Sequence, residues 1–236
     1  MSHKKISRRE ALAVMGAAGT ALAFGCGGDS PTGPSTSSAG TTGATSGATT
    51  TAACAVTPTE TVGPFPSLTD IFRSDIREGK PGTLLTLTVK VVNVNAGCAA
   101  LPDANVEIWH VDATGNYSEY GSQTAATYLR GIQTSDANGE VTFTTIYPGW
   151  YQGRATHIHL EVTLNGRSVK ATQIAFPETI NNMVHSQGAY ATGRGTNPIA
   201  NASDGIFADS LASELVTPAG SLSTGYTAAV QVGVAV

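Results

Sequence analysis

The chain has 236 residues, 13 of them basic and 17 acidic, for a net charge of −4. Setting aside residues 1–26, which hold Lys4, Lys5, Arg8, Arg9 and Glu10, leaves −7 and no basic run, which argues against a nucleic-acid partner. Beyond its first quarter, the chain has the size of one domain.

Residues 1–26 read as an export signal. "MSHKKISRRE" is a basic n-region, and "ALAVMGAAGTALAFG" is an apolar run too short for a comfortable membrane span. Arg8-Arg9, after Ser7 and before Leu12, suggests the twin-arginine route, which carries folded proteins. Cys26 follows Ala-Phe-Gly and reads as a lipobox cysteine that would tether the protein to a membrane; plain signal-peptidase cleavage nearby is the alternative. Residues 27–53 are Gly, Ser, Thr and Ala with almost no charge or bulk, so they cannot bury enough surface to fold. They read as a flexible linker of roughly 25–30 Å mean reach. The folded domain is expected over 54–236, in a periplasmic or extracellular setting. There, Cys54 and Cys98 form an even pair and are expected to be disulfide-bonded.

The domain reads as all-β. In "TLLTLTVKVVNV" (83–94), Leu85, Leu87, Val89 and Val91 share one face. "ANVEIWHVD" (104–112) is a second strand. "YLRGIQTS" (128–135), "DANG" (136–139) and "EVTFTTI" (140–146) predict a β-hairpin turned at Asn138-Gly139. "HIHLEVTL" (157–164) and "LNGRSVKATQIAF" (164–176) give further strands around a second Asn-Gly turn. Helical periodicity is confined to "IFADSLASEL" (206–215). Many short strands at this spacing predict an antiparallel β-sandwich with long loops and little helix.

The chemistry concentrates in "PGWYQGRATHIHLEV" (148–162). Strand alternation sends Ile158, Leu160, Val162 and Leu164 to one face and His157 and His159 to the other, side by side. Two imidazoles hold a metal poorly, and neither a thiolate set nor a pair of histidines four apart on a helix is present. Tyrosines are the candidate anionic partners: Tyr151, six residues before His157, and Tyr117 in "DATGNYSEY". A phenol with a pKa near 10 ligates nothing unless a highly charged cation deprotonates it. Two phenolates are hard donors that favour Fe(III), so two histidines and two tyrosines would hold a non-haem ferric ion with a position left for substrate.

The run "GPFP" (63–66), "EIWHVDATGNYS" (107–118), "LRGIQTSDANGEVTFTTIYPGWYQGRATHIHLEV" (129–162) and "TQIAF" (172–176) resembles the intradiol ring-cleavage dioxygenases, the catechol and protocatechuate dioxygenase family. The resemblance implies a β-sandwich with Fe(III) bound by Tyr117, Tyr151, His157 and His159. It implies Arg154 and Gln173 beside the substrate, with Gly63, Pro64 and Phe65 bordering the pocket. A catechol-type diol would bind through both hydroxyls, Tyr151 leaving as it takes a proton and Arg154 stabilising the electron-rich ring. With O₂ as co-substrate, the bond between the hydroxyl-bearing carbons would break to give a cis,cis-muconate-type diacid. Tyr120 and Tyr147 are rivals for the tyrosine roles, though both break the family spacing. His110 is expected to pack or hydrogen-bond, and His185 has no assigned role. Catechol, protocatechuate, hydroxyquinol and lignin-derived catechols all stay open as substrates, as do an oligomer and a partner subunit. The competing reading is a non-catalytic exported β-sandwich binding module of transthyretin-like type, which explains the strands and linker but not the four donors. Copper–zinc superoxide dismutase needs more histidine ligands than the four of this domain.

Overall fold

The computed structural model describes residues 54–236. The signal, the Cys26 lipobox and the linker over 27–53 lie outside the described residues. Among the described residues nine strands form: β1 (Leu84–Asn93), β2 (Ala99–Ala100), β3 (Asn105–Trp109), β4 (Arg130–Thr134), β5 (Glu140–Ile146), β6 (His157–Leu164), β7 (Arg167–Ala175), β8 (Ala219–Ser221) and β9 (Gly225–Val234). Three short helices, α1 (Glu178–His185), α2 (Gly188–Gly193) and α3 (Leu211–Glu214), stand between β7 and β8. Among the described residues no helix is long and apolar enough to cross a membrane.

The strands make two sheets. In one, β1 is central, with β5 and β2 along one edge and β9, then β8, along the other. In the other the order is β4-β3-β6-β7. The period-2 pattern explains the core between them: Leu85, Leu87, Val89 and Val91 of β1 are fully buried, and Ile158, Leu160 and Val162 of β6 meet them from the opposite sheet. The all-β sandwich expected from the sequence is the fold observed. The β6–β7 hairpin turns at Asn165-Gly166, both at positive φ, as Asn-Gly requires.

Two expectations need correction. Residues 128–146 are not a hairpin, because β4 pairs with β3 and β5 pairs with β1 in the other sheet. The free edge of each is taken by residues 71–76 instead. Arg73 N–H donates to the Ile132 carbonyl on β4, and Thr144 N–H of β5 donates to the Ser74 carbonyl. The "DANG" turn does form, with Asp136 Oδ1 accepting from the N–H groups of Asn138 and Glu140, but it carries the chain from one sheet to the other. The helix expected over 206–215 shrinks to the single turn of α3, preceded by turns over 206–210.

Cys54 and Cys98 are disulfide-bonded, with Cα atoms 5.7 Å apart. The bond starts a strap, residues 54–66, that runs along the sandwich. Thr57 exchanges hydrogen bonds with Gly233 on β9, and Glu60 N–H donates to the Ala171 carbonyl on β7. Lys170 reaches the Thr57 carbonyl and the Thr59 hydroxyl. Closing the 44-residue separation constrains the unfolded chain. Replacing both cysteines by alanine should therefore lower the unfolding free energy by about 2–4 kcal/mol, read from urea denaturation, with the circular-dichroism spectrum unchanged.

Candidate metal centre

His157 and His159 lie side by side on β6, where the strand is an interior one, bonded to β3 and to β7. Both histidines are buried, so the face opposite the core is itself covered. Trp109, the β3 residue in register with His159, stacks flat on its imidazole at 4.8 Å and 2°. The strap covers the same ring. Gly63, at φ +72°, sits where a Cβ would come within 3.1 Å of His159 Cε1, so this residue must be both left-handed and small.

The two Nε2 atoms are 3.2 Å apart. Tyr117, from the loop after β3, brings its hydroxyl to 3.1 Å from His159 Nε2 and 3.5 Å from His157 Nε2. Phe65 of the strap stacks on the Tyr117 ring at 4.8 Å. Tyr151 packs edge-on against His157 and Tyr117, with ring centroids 5.5 and 5.6 Å away. All four residues expected to ligate a metal are therefore gathered in one place. Of the rivals, Tyr120 donates its hydroxyl to the Pro66 carbonyl at 2.7 Å and Tyr147 to Asn181 Oδ1 at 2.7 Å. Both are committed elsewhere.

The donor set fits a metal ion. His157 Nδ1 donates to the Ala155 carbonyl at 2.6 Å, which leaves its Nε2 lone pair free to face inward. His159 Nδ1 is buried with no hydrogen-bond partner among the described residues. Three donor atoms at these mutual spacings are equidistant from a point about 2 Å away, the usual metal–imidazole bond length. One cation there would engage all three lone pairs at once. Among the described residues no three His, Cys, Asp or Glu side chains cluster to hold a metal. The further donors beside the two imidazoles are the phenols of Tyr117 and Tyr151.

The electrostatics point the same way. Burial, then the Arg154 cation, pushes His157 down to about 3, and burial, then His157 itself, holds His159 well below the usual imidazole range. Both are neutral at ordinary pH. Burial and the neighbouring Tyr151 push the Tyr117 phenol well above its usual value, so only a strong local cation would ionise it.

Arg154 links the centre to its surroundings. Its Nη1 donates to the Tyr151 hydroxyl at 3.3 Å, its Nη2 to Gln173 Oε1 at 2.6 Å and its Nε to Asp204 Oδ2 at 2.8 Å. Gln173, fully buried, donates its own amide to the Thr61 carbonyl of the strap at 2.8 Å. Both ends of that amide are thus used in holding Arg154 and the strap. A cavity of about 290 Å³ opens over Tyr117 and Tyr151, walled by Phe65, Tyr120, Gln152 and Arg194 among others. Of the Gly63-Pro64-Phe65 stretch, Phe65 lines the cavity, Gly63 packs on His159, and Pro64 is exposed.

Comparison with known proteins decides the family. A family model described as dioxygenase matches residues 65–187. The solved structure of an intradiol ring-cleavage dioxygenase from Tetranychus urticae superposes with a TM-score of 0.69 at 30% identity, covering 77% of this chain and 95% of that one. The chain belongs to the intradiol ring-cleavage dioxygenase family. Catechol 1,2-dioxygenase from Acinetobacter baylyi is 35% identical over 95 residues, a match that spans 31% of this chain and 30% of that relative. The catechol 1,2-dioxygenase of Pseudomonas arvilla C-1 shares the fold, with a TM-score of 0.56 at 20% identity over 76% of this chain and 62% of that one.

Some residues of this family member's site escaped the sequence reading. Trp109 was discoverable, since it alternates onto the same side of β3 as the site and faces His159 in register. Asp204 carried no local signal, lying 50 residues beyond Arg154 in an irregular segment. The expectation for His110 holds. It is fully buried, donating from Nδ1 to the Val111 carbonyl and accepting at Nε2 from the Thr145 hydroxyl, both at 2.8 Å. His185 donates to the Pro148 carbonyl at 3.0 Å.

For Asp204, burial alone would raise the carboxyl, but the backbone N–H groups of Ile206 and Ala155 and the Arg154 cation hold it below the usual carboxylate range. A lowered folded-state value contributes stability that is present above the unfolded carboxylate value and lost as pH falls through the folded one. Asp204→Asn should destabilise the protein by about 3 kcal/mol at pH 7, as expected for breaking a buried ion pair. In urea denaturation at a series of pH values, the gap between wild type and variant should close below pH ~4.

Proposed function

We propose that this protein is a non-haem Fe(III)-dependent dioxygenase that cleaves a catechol-type ring between its two hydroxyl-bearing carbons, using O₂, to a cis,cis-muconate-type diacid. The observation that carries this reading is the convergence of Tyr117 Oη and the two Nε2 atoms within 3.1–3.5 Å of one another, with Tyr151 packed beside them. His157, His159, Tyr117 and Tyr151 would hold the ion. Once bound, a ferric ion supplies Lewis acidity, drawing electron density from an adjacent diol so that the ring becomes open to O₂. Both oxygen atoms end in the two carboxyl groups, so the reaction needs no external reductant.

The chain's own residues have separate tasks. Tyr151, with its hydroxyl within reach of Arg154 Nη1, is placed to take a proton from the incoming diol. Arg154, fixed from Asp204 on one side and Gln173 on the other, holds its positive charge behind the Tyr151 hydroxyl, outside the cavity lining, from where it would stabilise an electron-rich ring. Trp109 and the strap at Gly63 keep water from the His159 ring, and Phe65 covers the Tyr117 ring. A non-catalytic binding module offers no account of the three converging donors. Export is part of the proposal, and the Cys54–Cys98 bond supports it, since such bonds persist in oxidising compartments. A lipid on Cys26 would tether the domain to a membrane.

Protein purified without chelators should be red-purple from tyrosinate-to-Fe(III) charge transfer and contain about one iron per chain. The colour should shift on addition of a catechol. His159→Ala should lose most of the iron and the colour while keeping its fold by circular dichroism. Wild-type protein that stays colourless after ferric reconstitution would overturn the proposal.

A further inference from the structure

A buried cation near the centre has no task in the proposed ring cleavage. Arg130, the first residue of β4, is 1% exposed. It stands in a row across the sheet: Arg130 is in register with Trp109, Trp109 with His159, and His159 with Gln173. Two strand spacings, roughly 10 Å, separate it from His159, and Trp109 stands between them. Its guanidinium instead lies 5.7 Å from the centre of the Tyr117 ring and 5.4 Å from that of Tyr120.

The whole fork of Arg130 is engaged. Nε donates to Ser118 Oγ at 2.9 Å and Nη2 to the Ser118 carbonyl at 2.8 Å. Nη1 donates to the Phe65 carbonyl at 3.1 Å and to Ser67 Oγ at 3.2 Å. Glu119 Oε2 lies 3.3 Å from Nε and also accepts from the Leu68 N–H at 2.8 Å. Two of these partners bear directly on Tyr117. Ser118 is the next residue in the chain, and Phe65 is the strap residue stacked on the Tyr117 ring. One side chain thus fastens both the backbone that carries Tyr117 and the ring that covers it. Hydrogen bonding alone does not require a charge there, and burying one is costly. Glu119 balances the charge at long range, but the guanidinium is the member of the pair that lies against Tyr117. At that distance, away from water, a cation acts strongly on any negative charge the ring carries. A tyrosine that ligates a metal carries such a charge.

We propose that Arg130 is a positioning residue for Tyr117 whose charge, beyond its hydrogen bonds, sets the electronic state of that tyrosine once it ligates a metal. This inference rests on the ring-cleavage reading above. The test is the visible spectrum of the iron-loaded full chain, with iron content and circular dichroism measured on each sample. Tyrosinate-to-Fe(III) charge transfer moves an electron off the ring and away from Arg130, so a cation beside the ring raises the energy of the band. Two variants take the ion pair apart without stranding an anion. Glu119→Gln leaves Arg130 its bonds to Ser118, Phe65 and Ser67 with the opposing charge gone, and the band should move to shorter wavelength. Glu119→Gln combined with Arg130→Met removes the cation too, and the band should lie at longer wavelength than in wild type. A role confined to packing predicts bands that stay in place or move the same way in both variants, and either result would overturn the assignment. If the double variant does not fold, Glu119→Gln decides alone: a band unmoved or at longer wavelength sinks the proposal. A wild-type protein colourless after ferric reconstitution would sink the ring-cleavage reading and this assignment together. A coloured wild type whose variants keep its spectrum would sink this assignment only.

Discussion

Everything at the centre depends on β6 being held in one register from both sides. A strand slipped by one residue would exchange its faces, sending Ile158, Leu160 and Val162 outward and the histidines into the apolar core. Pairing with β3 and β7 prevents the slip, and the core side chains favour the same register. The apolar residues that stabilise the sandwich are thus the reason that two imidazoles face each other. Stability and chemistry share one strand, divided between its two faces.

The second sheet face is unusual in being buried and polar together. Neutral histidines, a phenol, a glutamine and an arginine lie under the strap and the 197–207 segment, and nearly every polar atom has a partner there. Burial of such groups is costly unless each is satisfied. Arg154 resolves most of this cost, spreading one charge over a carboxylate, an amide and a phenol. The exceptions among the described residues include His159 Nδ1 and Trp109 Nε1, on two rings stacked face to face, and Asn201 Oδ1 in the covering segment.

Much of this was legible in the sequence, and the limits have physical causes. Period-2 alternation assigned both faces of β6 and the buried face of β1, because a strand between a core and a cover carries that period strongly. Tyr117 and Tyr151 followed from what a ferric ion demands and from the family spacing, and the structure brings them to the histidines. The supposed hairpin at 128–146 failed because local turn chemistry says that the chain reverses, not which sheet it reverses into. That choice belongs to residues 71–76, far upstream of the strands whose edges they occupy. β9 was missed for a related reason. "GYTAAVQVGV" is rich in Ala and Gly, weak strand formers alone, and is made a strand by the partner waiting beside it.

That partner is β1, so the first long strand of the domain lies parallel to its last, Leu85 beside Tyr226 and Asn93 beside Val234. The pairing is among the least local in the fold, and loop-closure entropy is spent before it is rewarded. During synthesis, β3, β4, β6 and β7 can join as soon as they emerge, while β1 waits with an open edge until residues near 234 leave the ribosome. The histidine-bearing sheet can therefore form early, but the sandwich that shields its apolar face closes only once β9 has been made. Until then the nascent chain carries β1 with one open, aggregation-prone edge.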